Sequence, residues 1–333
     1  MLKNKYFILG LIVLVGVAGA ALFYVNNLKK TEKPKVAEEK VKVAYVGSIV
    51  DYDLLLDIAT EKKFASENSL AIEKMPQVKD STDILITKNS DYILNTTTNV
   101  LSYYLGAKDN QDNVQWIAAV TDNISNQFLV TKYSKDDLSK IKTAGVKRIG
   151  GAGQVYMAAV LGKIDSKIQP KYISTNDEPT KLQLLQKGNV DAVIISSTQS
   201  RDEAAKISGL YVYDCNDFLK DFKIPGGVMA LSSTVKDRPE LSERFVKTIY
   251  QSSQYIKNNK ADTIKFIQSH YSLTESQAAD SYNSLRGSLA SSYVPNAENL
   301  QEISALVKSV FSLDSKKDLS GFIYTNFAEK AKK

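Results

Sequence analysis

From residue 41 onward the chain alternates short β-branched runs with helical stripes, and few architectures accept that order. The runs VKVAYV (41–46), TDILIT (82–87), VQWIAAV (114–120), QFLVTK (127–132), VKRIG (146–150), VDAVIIS (190–196) and GVMALSS (227–233) have the length and composition of strands. Between the first two, DLLLDIATEKKFASEN reads as one helix with Leu54, Ile58 and Ala65 on a common face. Later, PELSERFVKTIYQSSQYI spaces Leu241, Phe245, Ile249 and Ile256 along a stripe of helical period. Strands alternating with helices predict an α/β architecture with parallel sheets. The last hundred or so residues read as almost entirely helical, so helices are expected to wrap sheets laid down earlier.

At 333 residues, with 43% hydrophobic and 24% charged side chains, the chain is long enough for two modest domains or one large one, and its bulk is not disordered. The formal charge is +6, of which residues 1–40 supply +4 through seven lysines against three glutamates. The remainder is nearly balanced, and its lysines alternate with Asp and Glu rather than clustering on one face. That excludes a nucleic-acid stripe.

The stretch YFILGLIVLVGVAGAALFYV, residues 6–25, carries no charge and follows Lys3 and Lys5. Its 20 residues, at about 1.5 Å each, match the roughly 30 Å hydrocarbon core of a bilayer. A signal peptide cut after Ala18-Gly19-Ala20 fits the small-residue rule, but the apolar run continues past that site, which favours an uncleaved transmembrane anchor. No cysteine is present here to carry a lipid. Residues 26–40, NNLKKTEKPKVAEEK, read as a polar tether.

One cysteine, Cys215, forms no intramolecular disulfide, and one histidine, His270, makes no histidine-based metal cluster. Cys215 reads as a strand-end residue and His270 as a favourable partner for a helix C-terminus. A Ser-His-Asp triad would need that same histidine, and no G-x-S-x-G elbow occurs. The glycine-rich KRIGGAGQVYMA (147–158) also fails as a nucleotide motif. Tyr156 stands where a dinucleotide fingerprint has its third glycine, and the Gly-Lys-Ser/Thr of a P-loop is missing. The expectation is a binding protein that is not an enzyme and uses no cofactor.

Three stretches carry a family resemblance. LDIATEKKFASENSLAIE places an alanine, a glutamate and a phenylalanine before the next strand; LLQKGNVDAVIIS carries Leu185, Gly188, Val190, Asp191 and Ala192; and a long helical return opens with Pro239 and Glu240. In this order they resemble the substrate-binding proteins of ABC importers, in the nitrate, sulfonate, taurine and pyrimidine-precursor family. The resemblance spans about residues 41–333. It departs at Lys63 and Ser69, where that family usually has glycines, and at Ser197 and Thr198, where it commonly has Glu-Pro.

The resemblance implies a type II periplasmic-binding fold, with two lobes joined by two crossover strands and a ligand held in the cleft between them. Lobe I would comprise 41–124 and 228–333, and lobe II 125–227. It also implies a monomer on the outer face of a bacterial cytoplasmic membrane, handing a small organic ligand to an ABC permease. Two alternatives remain: an enzyme on the same fold in pyrimidine or quinone precursor metabolism, or a surface interaction protein whose cleft is vestigial.

Ligands of α/β sheets lie beyond the carboxyl ends of the strands. The loops there are GSIVDYD, NTTTN, TDNIS, GGAGQVY and SSTQS. They nominate Ser48, Asp51, Tyr52, Asn95, Thr97, Asn123, Gly153, Gln154, Tyr156, Ser197 and Thr198 as ligand-binding residues. Asn95 and Thr97 read equally well as caps for the helix VLSYYL, and Tyr52 either stacks on a planar ligand or fills the core. The amides of Gln154 and Val155 are expected to be free donors at a helix start. With five arginines against 38 lysines and Asp51 beside Tyr52, the cleft reads as one for a neutral or amine-bearing organic molecule, heteroaromatic in one version.

Overall fold

Strand β1 (Glu39–Tyr45) begins just inside the expected tether, where the Glu39 amide donates to the Ser69 carbonyl (2.9 Å) and the Glu39 carboxylate pairs with Arg238 and Arg244. The computed structural model describes residues 37–45, 52–75, 81–108, 111–123, 127–175, 177–219 and 222–332, and the compact unit runs from Glu39. The apolar segment 6–25 lies outside the described residues. Among the described ones no helix is long and apolar enough to cross a membrane.

After β1 come α1 (Tyr52–Glu61), α2 (Phe64–Glu67), β2 (Leu70–Lys74), α3 (Ser81–Ile86), β3 (Tyr92–Thr96), α4 (Thr97–Gly106) and β4 (Val114–Thr121). The chain then builds β5 (Phe128–Thr131), β6 (Thr143–Val146), α5 (Ala152–Ile164), β7 (Lys171–Ser174), α6 (Glu178–Gln186), β8 (Ala192–Ile195), α7 (Thr198–Ala205) and β9 (Tyr211–Asp214). It returns through β10 (Gly226–Leu231) to α8 (Ser232–Asp237), α9 (Pro239–Asn258), α10 (Lys260–His270), α11 (Glu275–Ser288), α12 (Gln301–Val310) and α13 (Asn326–Ala331).

Two five-stranded sheets result, ordered β2-β1-β3-β10-β4 and β7-β6-β8-β5-β9. Each has a parallel trio (β2, β1, β3; β7, β6, β8) and a fourth strand that runs antiparallel to it. That fourth strand, β10 or β5, is the first one laid down after the chain crosses from the other sheet. The sheets are therefore mixed where purely parallel ones were expected. The reason is connectivity: a chain that leaves one lobe and re-enters the other arrives without a crossover helix, and arrives antiparallel.

The central strands are apolar on both faces because both faces are covered. In β1, Val41, Val43 and Tyr45 join one core with α1 and α9, while Ala44 faces a second core; in β3, Tyr92 and Leu94 oppose Ile93 in the same way. The second core continues through α4 and α12 to α5 of the other lobe. A third covers the far face of the second sheet.

Several elements differ from expectation. TDILIT is not a strand: residues 81–86 form α3, with Ser81, Thr82 and Leu85 buried at helical spacing, and the strand is the following YILNT. VKRIG ends rather than begins a strand. β6 is TAGV, and 147–150 turn outward with Ile149 exposed and Gly150 at φ 84°. The helix DLLLDIATEKKFASEN breaks at Lys63, which adopts φ 63° and separates α1 from α2. β2 and β7 were not among the strand-like runs, whereas β9 is the strand whose end Cys215 marks; all three are sheet edges with half-exposed faces. The long helical return after β10 is present as expected.

Candidate functional site

The carboxyl ends of β3 and β6 each open into a helix, and the starts of those helices, α4 and α5, face one another across the lobes. The contact is a hydrogen bond from the Ala152 amide, the first residue of α5, to Asn99 Oδ1 in the first turn of α4 (2.6 Å). Asn99 Nδ2 donates in turn to Asn95 Oδ1 (3.1 Å), which also accepts from the Thr96 amide (2.7 Å). Asn95 Nδ2 donates to Ser81 Oγ (3.0 Å) at the start of α3. A neutral hydrogen-bonded relay thus runs from the floor of the first lobe to the wall of the second.

Of the nominated residues, Ser48 and Asp51 lie outside the described residues. Tyr52 opens α1 and is buried, its hydroxyl lying 3.4 Å from the Asn95 carbonyl and 3.3 Å from Thr121 Oγ1. It therefore stands over the junction of β3, β4 and β10 rather than presenting a free face. Asn95 belongs to β3 and does not cap α4, whose N-cap is Thr96. Thr97 is fully buried and gives both its amide and its hydroxyl to the Pro225 carbonyl (2.9 Å each). Asn123 Oδ1 accepts the Ile224 amide (3.0 Å), bracing the two crossing segments against each other.

In the second lobe, Gly153 leaves open space where a Cβ would stand. The amides of Gln154 and Val155 are not free donors: both reach the Gly151 carbonyl, at 3.0 and 3.4 Å, because the first turn of α5 closes tightly on it. Gln154 instead folds its side chain back, Oε1 accepting the Gly150 amide (2.8 Å). Tyr156 is 2% exposed and belongs to the core cluster that holds Cys215, and burial pushes its hydroxyl pKa well up. Ser197 is the N-cap of α7, accepting from the Ser200 amide (3.1 Å) and donating to Glu178 Oε2 (2.7 Å); Thr198 is the first residue of that helix.

Three residues that matter here were not nominated. Asn99 lies inside NTTTN, but nothing in the sequence distinguishes it from Asn95. Glu178, at the start of α6, accepts from the Ser196 amide and from the hydroxyls of Ser196 and Ser197 (2.7 Å each). Burial opposes its charge, yet the surrounding serine hydroxyls and that amide hold its carboxyl below the usual carboxylate range. Lys181, one turn on, is buried with Nζ donating to the Ile194 carbonyl at the end of β8 (2.7 Å), and burial lowers its pKa. A Glu-Pro pair, Glu178-Pro179, thus sits on α6 rather than after β8, where Ser197 and Thr198 stand.

Of the two reactive side chains, Cys215 shares the buried cluster of Tyr156, and His270 ends α10. Cys215 is fully buried, and burial pushes its thiol up. His270 ends α10 with Nε2 3.2 Å from Asp57 Oδ2 and its ring stacked on Phe266. Asp57 also accepts from Lys74 (2.6 Å) and the Tyr271 hydroxyl (2.8 Å), so the histidine joins a network that ties α10 to α1. Among the described residues no group of His, Cys, Asp and Glu is placed to hold a metal ion.

The geometry has solved counterparts. No family model and no curated protein matches the sequence. By structure, the chain is similar to the zinc-bound ligand-binding component of an ABC-type import system from Staphylococcus aureus (TM-score 0.66, 14% identity, 88% of this chain and 99% of that one). It is similar too to the periplasmic aliphatic sulphonate binding protein SsuA from Escherichia coli (0.65, 13%, 87% and 93%). A Candida albicans gene product, described as showing the generic periplasmic binding protein fold, matches as well (0.65, 14%, 88% and 94%). The fold is that of periplasmic binding proteins. Sulfonate-binding and other ABC-import binding proteins are its structural neighbours, as the resemblance implied. Asn99 meets Ala152 beyond the carboxyl ends of β3 and β6, the side on which α/β sheets bind ligands.

Proposed function

We propose that the chain is an extracytoplasmic solute-binding protein that captures a small organic molecule between its lobes and delivers it to an ABC permease. The observation that carries this reading is the meeting of α4 and α5 across the lobes, beyond the carboxyl ends of strands in two independent sheets. The similarity to binding components of ABC import systems supports the same reading. In it the chain acts as a monomer at the outer face of the membrane, held there by residues 6–25.

The ligand class is neutral or amine-bearing. At the start of α5, two amides that could hold an anion, those of Gly150 and Ala152, are already taken by the carboxamides of Gln154 and Asn99. An anionic headgroup would have to displace them. Capture needs affinity and release, whereas turnover would need a positioned acid, base or nucleophile. His270 is paired with Asp57, and Cys215 is fully buried with its thiol pushed up by burial. The test is a thermal-shift screen of residues 36–333 against amines, amino acids, nucleobases and sulfonates. A melting shift with amines or neutral heterocycles, with no product formed, supports the proposal. Turnover of any hit overturns it in favour of an enzyme, and a shift confined to sulfonates overturns the ligand class.

A further inference from the structure

We propose that Asn99 is an interlobe clasp, which favours the closed arrangement of the lobes whether or not the cleft is occupied. The bond from the Ala152 amide to Asn99 Oδ1 is made wholly of protein atoms, and it joins the first turn of α4 in one lobe to the first residue of α5 in the other. Asn99 is itself oriented. Its Nδ2 is held by Asn95 Oδ1, and Asn95, 1% exposed, is fixed by the Thr96 amide and Ser81. A carboxamide held at one end presents its oxygen at the other without further loss of rotamer freedom.

The clasp does not stand alone. Helix α12 packs against both α4 and α5, and its Ile303 and Val307, with Leu300 just before it, share one buried cluster with Val100 and Leu101 of the first lobe and Val155 and Val160 of the second. The apolar seam sets how closely the lobes approach. It has no direction of its own, and the hydrogen bond supplies the register. Arg148 and Asp83 add an exposed pair at 3.9 Å across the same boundary, which solvent screens. A neutral hydrogen bond contributes about a two- to tenfold bias to an equilibrium of this kind. Ligand reaching the start of α5 therefore competes with Asn99, and apparent affinity depends on the closed fraction that the clasp maintains.

Two substitutions remove the two halves of the bond independently. Asn99→Ala deletes the acceptor. Ala152→Pro deletes the donor while leaving α5 able to form, because position 152 is the first of the helix, where proline is favoured, and Gly151 already has the extended backbone (φ −103°, ψ 171°) that precedes proline. Spin labels at Glu61→Cys in α1 and Lys206→Cys after α7, both exposed, report interlobe distance by pulsed dipolar spectroscopy, and the buried Cys215 is kept from the label.

The measurement is made on residues 36–333 without added solute, with the full chain in nanodiscs as a second sample. The parent protein is expected to show one dominant short distance. Each variant should raise the long-distance population by about two- to tenfold, and the double variant by no more than the larger single effect. Distributions that superimpose on the parent in both variants overturn the clasp. A shift in Asn99→Ala but not in Ala152→Pro overturns it too, since Asn99 would then act through Asn95 alone. So does a parent that is already mostly open. None of these outcomes depends on which solute is bound, so the clasp and the proposed transport role stand or fall separately.

Discussion

Gly226 shows how a single position is decided by what faces it. A Cβ there would stand 1.8 Å from the Tyr52 hydroxyl and 3.0 Å from both the Asn95 carbonyl and Thr121 Oγ1, at the point where the chain re-enters the first lobe. Gly226→Ala is therefore expected to cost about 1–3 kcal/mol in chemical denaturation, and Tyr52→Phe alone about 0.5–1.5 kcal/mol for its hydrogen bond. Combined, the two should cost less than their sum, because phenylalanine removes the atom in the way; strict additivity would show that Tyr52 is not what excludes a side chain. Glu178 makes a second residue-scale prediction. Its carboxyl is held low, so the unfolded chain takes up a proton near the ordinary value of about 4.3 before the folded chain does. Its contribution is complete above that pH and is lost as pH falls through the lower folded value. Glu178→Gln should destabilise by about 1–3 kcal/mol at neutral pH, and the gap between variant and parent should narrow below about pH 4. A gap that does not change with pH would mean the charge is immaterial. At this scale the sequence was legible in part. Polar residues in the cleft loops were found, but Asn95, Thr97 and Gln154 turn their polar atoms to other protein groups. Composition shows that a loop residue can hydrogen-bond, and not whether its partner is the protein or a solute.

Elements were legible where burial is complete on both faces and obscure where it is not. β4, β5, β8 and β10 are largely apolar runs because both faces are covered, and so is the end of β1 after the exposed Lys40 and Lys42; each was found. The edge strands β2 and β7 carry mixed faces, LAIEK and KYIS, which have no period to read. α3 was misread for the opposite reason: TDILIT is β-branched, but its buried positions 81, 82 and 85 follow the helix, so packing overrode propensity. The role of α12 was out of reach of any periodicity argument. Its buried Ile303 and Val307 look like those of any amphipathic helix, yet they serve both lobes. Ile303→Ala should cost about 2–4 kcal/mol through the cavity it leaves. Hydrogen exchange should then quicken in β4 and in β6 alike. A loss of protection confined to β4 would assign α12 to the first lobe only.

For the whole molecule, the α/β class could be inferred from the alternation of elements, and the two lobes from the family resemblance. The mixed sense of each sheet could not, because it follows from where the chain crosses over and not from any local pattern. Both crossings are braced, Asn123 to the Ile224 amide and Thr97 to the Pro225 carbonyl, so the connection between lobes is tied at the same segments that would have to flex in opening. In the proposed role, the chain serves a permease only if it stays near it. The 20-residue uncharged run and the absence of a cysteine for lipid attachment make residues 6–25 the means of retention that we propose. A helix of that length inserts essentially irreversibly, whereas a cleaved signal would release the chain. Expressed at full length in a Gram-positive host, the protein should sediment with membranes, resist carbonate extraction and keep residues 6–25 by mass spectrometry. The same chain with Leu11, Val13 and Val15 changed to Lys should lose membrane retention, since charges at the centre of a span cost about 2.5–3.5 kcal/mol each for insertion. Recovery of a soluble product beginning at Ala21 would establish cleavage instead, and retention would then have to come from binding to the permease itself.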